Sequence, residues 1–167
     1  MYTLTDAPHQ GILFHGPSST NKEIFALAIA TWTKSVYFSV NEVTLMNLAS
    51  QNQSPMTTLF KIAEIKAPSV IFLDNLDQIM PRDPSKESII TLQLKAELIA
   101  LFNAYLSQKG SKCKVLVIGA VKKPDDLNLA AFGKLKEKIY ISNAVSNEGG
   151  FGGSVDPDQL GLIAEHA

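Results

Sequence analysis

The sequence predicts an α/β fold, a three-layer sandwich around a five-stranded parallel sheet. Short apolar runs alternate with stretches of helical period from Gly11 to Ile141. The central runs, such as Ser69 to Leu73, lack the polar alternation of a half-exposed strand, as strands covered on both faces do. With 167 residues, 46% hydrophobic and 19% charged, the chain can bury one sizeable core and does not resemble a disordered segment.

Taken in order, Gly11 to His15 reads as a buried strand and residues 16–21 as the loop after it. Residues 22–33 carry apolar side chains at Ile24, Leu27, Ala28 and Trp32, a helical spacing. Val36 to Val40 is a second strand and Glu42 to Leu48 a short helix. Ser54-Pro55 is a cap followed by proline in the first turn, so a helix runs from there to about Lys66 and buries Met56, Leu59, Phe60 and Ala63. Ala67-Pro68 stops it, and Ser69 to Leu73 is the third strand. After a loop at Pro81 to Pro84 comes a long helix, Glu87 to Gln108, apolar at Ile90, Leu94, Leu98, Leu101 and Tyr105 and broken by Gly110. Lys114 to Ala120 is a fourth strand, Leu127 to Phe132 a short helix and Lys138 to Ser142 a fifth strand. Residues 1–146 form the α/β core unit. Residues 147–167 read as a glycine-rich linker with a short C-terminal helix.

The formal net charge of -1 gives no global electrostatic case for nucleic acid. The run from Lys134 to Lys138 reads as a solvated edge. A single cysteine, Cys113, excludes an intrachain disulfide and fits a reducing compartment. The first ten residues lack a secretory pattern, and no apolar run approaches the ~18 residues of a membrane helix. A cytoplasmic protein without a membrane span is expected, one that reaches an organelle surface only through partners. His9, His15 and His166 are too scattered for a metal site, and His15 reads as a loop residue.

The chemistry concentrates in two stretches. GPSSTNKE, Gly16 to Glu23, stands between a strand and a helix, the context in which backbone N–H groups and a helix N-terminus surround phosphates and a lysine supplies charge. Gly16, Pro17, Ser18, Ser19, Thr20, Asn21, Lys22 and Glu23 are the candidate binding residues. Against the phosphate-loop pattern, Asn21 replaces a glycine. Asparagine is the next-best residue for positive φ, so the turn is expected to survive. Ser19 also stands where many such loops have glycine. Glu23 replaces the hydroxyl residue that would hold magnesium. A carboxylate about 4 Å from a phosphate charge, at an effective dielectric of about 20, costs about 4 kcal/mol. Three roles are open to Glu23: to repel the phosphate, to bind magnesium, or to stabilise the helix N-terminus itself. The second stretch is Val70-Ile71-Phe72-Leu73-Asp74-Asn75. It places Asp74 at the carboxyl edge of the sheet, where it can hold magnesium through water. Asn75 follows, and an asparagine can orient a water but cannot take its proton.

Together these stretches resemble the AAA+ ATPases, a P-loop NTPase-like fold, in the branch of the Cdc48, NSF and peroxin type. The resemblance rests on GILFHGPSSTNKEIFALAIA, APSVIFLDNLDQI, KVLVIGAVKKPDDLN and KEKIYI in that order, covering residues 11–142. It implies that Lys22 is the phosphate-loop (Walker A) lysine and Asp74 the magnesium (Walker B) aspartate. The catalytic glutamate falls on Asn75 and the polar sensor on Lys122. The arginine fingers fall near Gly133 and Lys134, whereas the only arginine in the chain is Arg82. The aromatic pore residue falls near Leu48 and Ala49. No catalytic position is intact, so the resemblance implies a degenerate, pseudo-ATPase-like domain. ATP or ADP with magnesium would bind weakly, and hydrolysis would be weak or absent. It further implies ring assembly with other AAA+ subunits or domains in a protein-remodelling complex, with a protein substrate or adaptor. A domain that holds ATP without hydrolysis, and an active ATPase with atypical residues, stay open. The family's helical lid has no counterpart before EGGFGGSVDPDQLGLIAEHA, which resembles only its end. A lid remnant or a fragment of a longer protein is expected.

Overall fold

The computed structural model describes residues 11–18, 20–51, 54–106 and 114–142. Five strands, β1 (Gly11–His15), β2 (Val36–Val40), β3 (Ser69–Leu73), β4 (Val115–Val121) and β5 (Glu137–Tyr140), form one sheet in the order β2-β3-β4-β1-β5. Every pairing is parallel. In the register, β1 ends at His15 opposite Val121, the end of β4, and β3 ends at Leu73 opposite Gly119, two residues short of it. Parallel strands need crossovers, and helices supply them. They are α1 (Lys22–Trp32), α2 (Glu42–Ser50), α3 (Pro55–Ile65), the short α4 (Leu76–Ile79), α5 (Ile89–Tyr105) and α6 (Leu129–Lys134).

Alternate residues of the buried strands feed two cores. Leu13, Ile71, Leu73, Val115, Val117 and Val121 pack beneath α2, α3, α5 and α6. Ile12, Phe14, Val70, Phe72, Leu116 and Ile118 face α1 on the other side of the sheet. All five residues of β3 and all seven of β4 are buried, as the lack of alternation predicts. Gly119 lets α4 approach β4: a Cβ there would lie 2.8 Å from Leu76 Cδ2.

The three-layer α/β architecture agrees with the sequence expectation, with shifted element ends. The fourth helix-forming stretch begins at Ile89, not at 87, because Ser88 caps it. The expected helix at 127–132 lies at Leu129–Lys134, since Asn128 accepts from Ala130 N and Leu127 is turned into the core. The last strand starts at Glu137.

The expected inner face of α1 is wrong. Ile24, Leu27 and Trp32 are about half exposed, and the sheet is met by Ala26, Ile29 and Ala30. Nearly every position from Ile24 to Ala30 is apolar, so period alone does not select a face. Alanines let the helix approach the sheet closely and leave the larger side chains outside. His15 is the last residue of β1, not a loop residue, with its ring 5.4 Å from that of Tyr140. The run 134–138 is not simply a solvated edge. Leu135 is fully buried, and Lys138 Nζ donates to Phe132 O at 2.8 Å while lying 4.1 Å from the Phe132 ring centre. Residues 147–167, with His9, Ser19, Gly110, Cys113 and His166, lie outside the described residues.

Candidate functional site

Three consecutive strands of the sheet, β3, β4 and β1, end at one place. From them come Asp74-Asn75, Lys122 and the loop that leads to Lys22. Between them lies a cleft of about 390 Å³, lined by Ser18, Thr20, Asn21, Lys22, Glu23, Asp74, Asn75 and Lys122 among others. Ligands of open α/β sheets bind at such carboxyl edges.

Gly16 anchors the loop. Its N–H points to the carbonyls of Val121 and Lys122, at 3.2 and 3.1 Å. Its φ of 149° suits glycine alone, and a Cβ would meet Ile141 O at 2.1 Å. Pro17 O collects three donors: Thr20 N at 3.1 Å, Thr20 Oγ1 at 2.7 Å and Lys22 Nζ at 2.9 Å. Gly16 and Pro17 thus shape the cleft without lining it. Asn21 departs from expectation. It caps α1 at φ −85°, so the loop closes without a left-handed residue there, and its side chain makes no capping bond.

Lys22 is only 7% exposed. Burial lowers its pKa; Asp74 opposes that shift and Lys122 adds to it. The same ammonium, after burial, helps to lower the pKa of His15. Asp74 is pushed up from the usual carboxylate range by burial first, with Glu42 and Glu23 adding to the shift. The Asn75 N–H, which donates to Asp74 Oδ1 at 2.9 Å, and Lys22 act against it. Lysine and aspartate therefore face each other across a partly desolvated cleft, each held away from its comfortable charge state. A polyanion with a divalent cation would relieve both.

Glu23 lines the cleft from the first turn of α1, and its carboxylate has partners that the sequence did not suggest. Its Oε2 accepts from Ser39 Oγ at 2.5 Å and Tyr37 OH at 3.2 Å, both on the edge strand β2. Burial, then the Glu23 charge, raises the Tyr37 pKa, so this phenol stays a donor. The carboxylate is thereby drawn to the rim of the cleft. The neighbouring strand is not visible from the loop's own spacing, so Ser39 and Tyr37 went unnoticed in the sequence.

The residues present fit a magnesium nucleotide. Loop N–H groups and Lys22 would hold phosphates, and Asp74 would hold magnesium through water. Among the described residues no three His, Cys, Asp or Glu side chains cluster tightly enough to hold a metal unaided. Magnesium commonly takes one or two carboxylates and completes its shell with phosphate oxygens and waters. When bound, it would neutralise phosphate charge at the reacting end.

Other expected positions lie apart from this cleft. Gly133 and Lys134 line a separate groove with Ile99 and Phe102, and no side chain comes within 4 Å of a Cβ built on Gly133. Leu48 is half-buried and Ala49 fully buried in α2, so the pore position does not present an aromatic. Glu42, missed as a site residue, hydrogen-bonds to Asn75. Its place two residues after β2, at the start of α2, was the available signal. No helix among the described residues is long and apolar enough to cross a membrane.

Residues 12–143 match the family described as "ATPase family associated with various cellular activities (AAA)". Spastin of Dictyostelium discoideum is 31% identical over 142 residues, 84% of this chain and 21% of that protein. Fidgetin-like protein 1 of Drosophila melanogaster is 30% identical over 142 residues, 84% of this chain and 27% of that protein. Spastin of Danio rerio is 28% identical over 143 residues, 85% of this chain and 25% of that protein. The chain thus spans only 21% to 27% of the length of these curated relatives.

Proposed function

The chain belongs to the AAA family of ATPases, and on that premise we propose that it binds ATP or ADP with magnesium in the cleft above β1, β4 and β3 and turns ATP over slowly. One observation carries this reading: Lys22 and Asp74, from strands on either side of β4, line the same cleft. Lys22 contacts the outer phosphates once it leaves Pro17 O. Asp74 holds the magnesium shell. Lys122 adds a second positive charge beside the terminal phosphate.

Slow turnover follows from the side chains at the reacting end. Phosphoryl transfer depends on positioning and charge stabilisation. Asn75 orients water without accepting its proton, and Glu23 brings no hydroxyl to the metal. Lys134 stands where an arginine would reach a neighbouring subunit. This combination supports a domain that works mainly by holding nucleotide within a ring of AAA subunits or domains, in a protein-remodelling assembly. The narrower branch of the NSF and peroxin type rests on segment spacing alone; the relatives found bear the names spastin and fidgetin-like protein 1.

Titration calorimetry with MgATP tests the pocket. Wild type is expected to bind, and Lys22→Ala to bind at least about 100-fold more weakly, as loss of one charge-assisted contact of about 3 kcal/mol implies. Equal heats from the two proteins, or none from wild type at millimolar nucleotide, would end this reading.

A further inference from the structure

Asn75 lines the cleft with its side chain already engaged. Its Nδ2 donates to Glu42 Oε1 at 3.1 Å, although the two residues are 33 positions apart. The fold explains the meeting. β2 and β3 are neighbours, and Val40 lies level with Leu73. The two strand ends therefore deliver Asn41-Glu42 and Asp74-Asn75 side by side to one edge of the sheet. Glu42 is half-buried there, and its charge acts on Asp74 more strongly than that of Glu23. A carboxylate accepts and cannot donate, so the amide must turn its NH₂ to Glu42 and its oxygen away, towards any water in the cleft.

The glutamate expected at position 75 is thus absent, but a carboxylate stands beside the amide that replaces it. The amide stands at the end of β3 and the carboxylate one strand to the side. We propose that Glu42 is the general base of this site and that Asn75 is the residue that positions it, a proposal that rests on reading the cleft as a nucleotide site. Water attacks the terminal phosphorus of ATP. The bond from that phosphorus to the bridging oxygen breaks, and its electron pair leaves on ADP. The proton of the attacking water passes to the Glu42 carboxylate and from there to solvent, giving inorganic phosphate. Set one strand away, the base reaches the water less directly than a glutamate at position 75 would, in keeping with slow turnover.

Glu42 also opens α2, where any acid interacts favourably with the helix N-terminus. The test must separate the two roles. Phosphate release from MgATP is followed in single turnover by the full chain, with affinity measured by calorimetry and folding by thermal melting. Glu42→Gln is expected to slow release about 100-fold, at the lower end of what a general base supplies, with ATP affinity unchanged. Glu42→Asp keeps the charge at the helix start but withdraws it by one methylene, and is expected to fall between the two. The exchanged pair, Asn75→Glu with Glu42→Asn, is expected to release phosphate at least as fast as wild type. Glu42→Ala and Asn75→Ala are expected to be non-additive in denaturant unfolding, since each removes the one bond they share. Release at the wild-type rate by Glu42→Gln or by Glu42→Asp overturns the proposal. So does a wild type that binds ATP yet releases no more phosphate than Lys22→Ala, and that result leaves the nucleotide reading standing. Failure of wild type to bind MgATP overturns both.

Discussion

Ser39, an exposed serine on an edge strand, bonds to the Glu23 carboxylate beside the cleft. Its hydroxyl and that of Tyr37 hold the Glu23 carboxylate on the β2 side of the cleft. Ser39→Ala removes the shorter of the two bonds, and Glu23 can then swing towards the loop. At twice the contact distance a like-charge repulsion of about 4 kcal/mol is halved, so giving back even part of it should weaken ATP binding about tenfold. Calorimetry on Ser39→Ala and on Ser39→Ala with Glu23→Gln checks this: the second change should restore the affinity. Lys22 and Asp74 were legible in the sequence because each follows an apolar strand in a recognisable local string, Lys22 after the loop and Asp74 directly. Ser39, Tyr37 and Glu42 were not. Their partners lie 16, 14 and 33 residues away, and only the lateral order of the strands brings them together. Asn75 falls between these cases. Its place after Asp74 is plain in the string, but its left-handed backbone, φ 50°, and its bond to Glu42 follow from the turn into α4 and from the β2–β3 register.

At the level of single elements, strands were easier to delimit than helix ends and faces. β3 begins and ends where its apolar run does, because a strand covered on both faces has no other composition available, and the half-exposed edge strand β2 also keeps its expected bounds. The start of α5 was placed too early because its capping box is unusual. Ser88 Oγ accepts from Thr91 N, and Thr91 Oγ1 accepts from Ser88 N, where a glutamate or glutamine would ordinarily signal the motif. Ser88→Ala should cost about 1 kcal/mol, read as a lower midpoint of urea unfolding without a change in slope. A midpoint within error of wild type would show that Thr91 alone secures the turn. The face of α1 was unreadable for a different reason. Helical period identifies a buried stripe only when polar residues mark the opposite side, and α1 has few of them.

Across the whole molecule, the carboxyl edge of the sheet is where charged groups are held partly out of water. Burial raises the pKa of Asp74 and of Asp77. A carboxyl group whose folded pKa lies above its unfolded value favours the folded state most when both are protonated, and that contribution is lost as pH rises through the raised folded value. The charged form of each therefore carries a cost. Asp74→Asn should raise the melting temperature at neutral pH, with the difference shrinking as the pH falls below the ordinary carboxylate range. Differential scanning fluorimetry over that interval decides it; a constant or reversed difference would be the contrary result. The apolar outer side of α1 has a practical consequence. The only tryptophan of the chain, Trp32, is 53% exposed on that side, far from either core. Intrinsic fluorescence will consequently respond weakly to loss of the core and strongly to anything that covers α1. A blue shift of the emission at rising protein concentration, with the far-ultraviolet circular dichroism unchanged, would register self-association without any label.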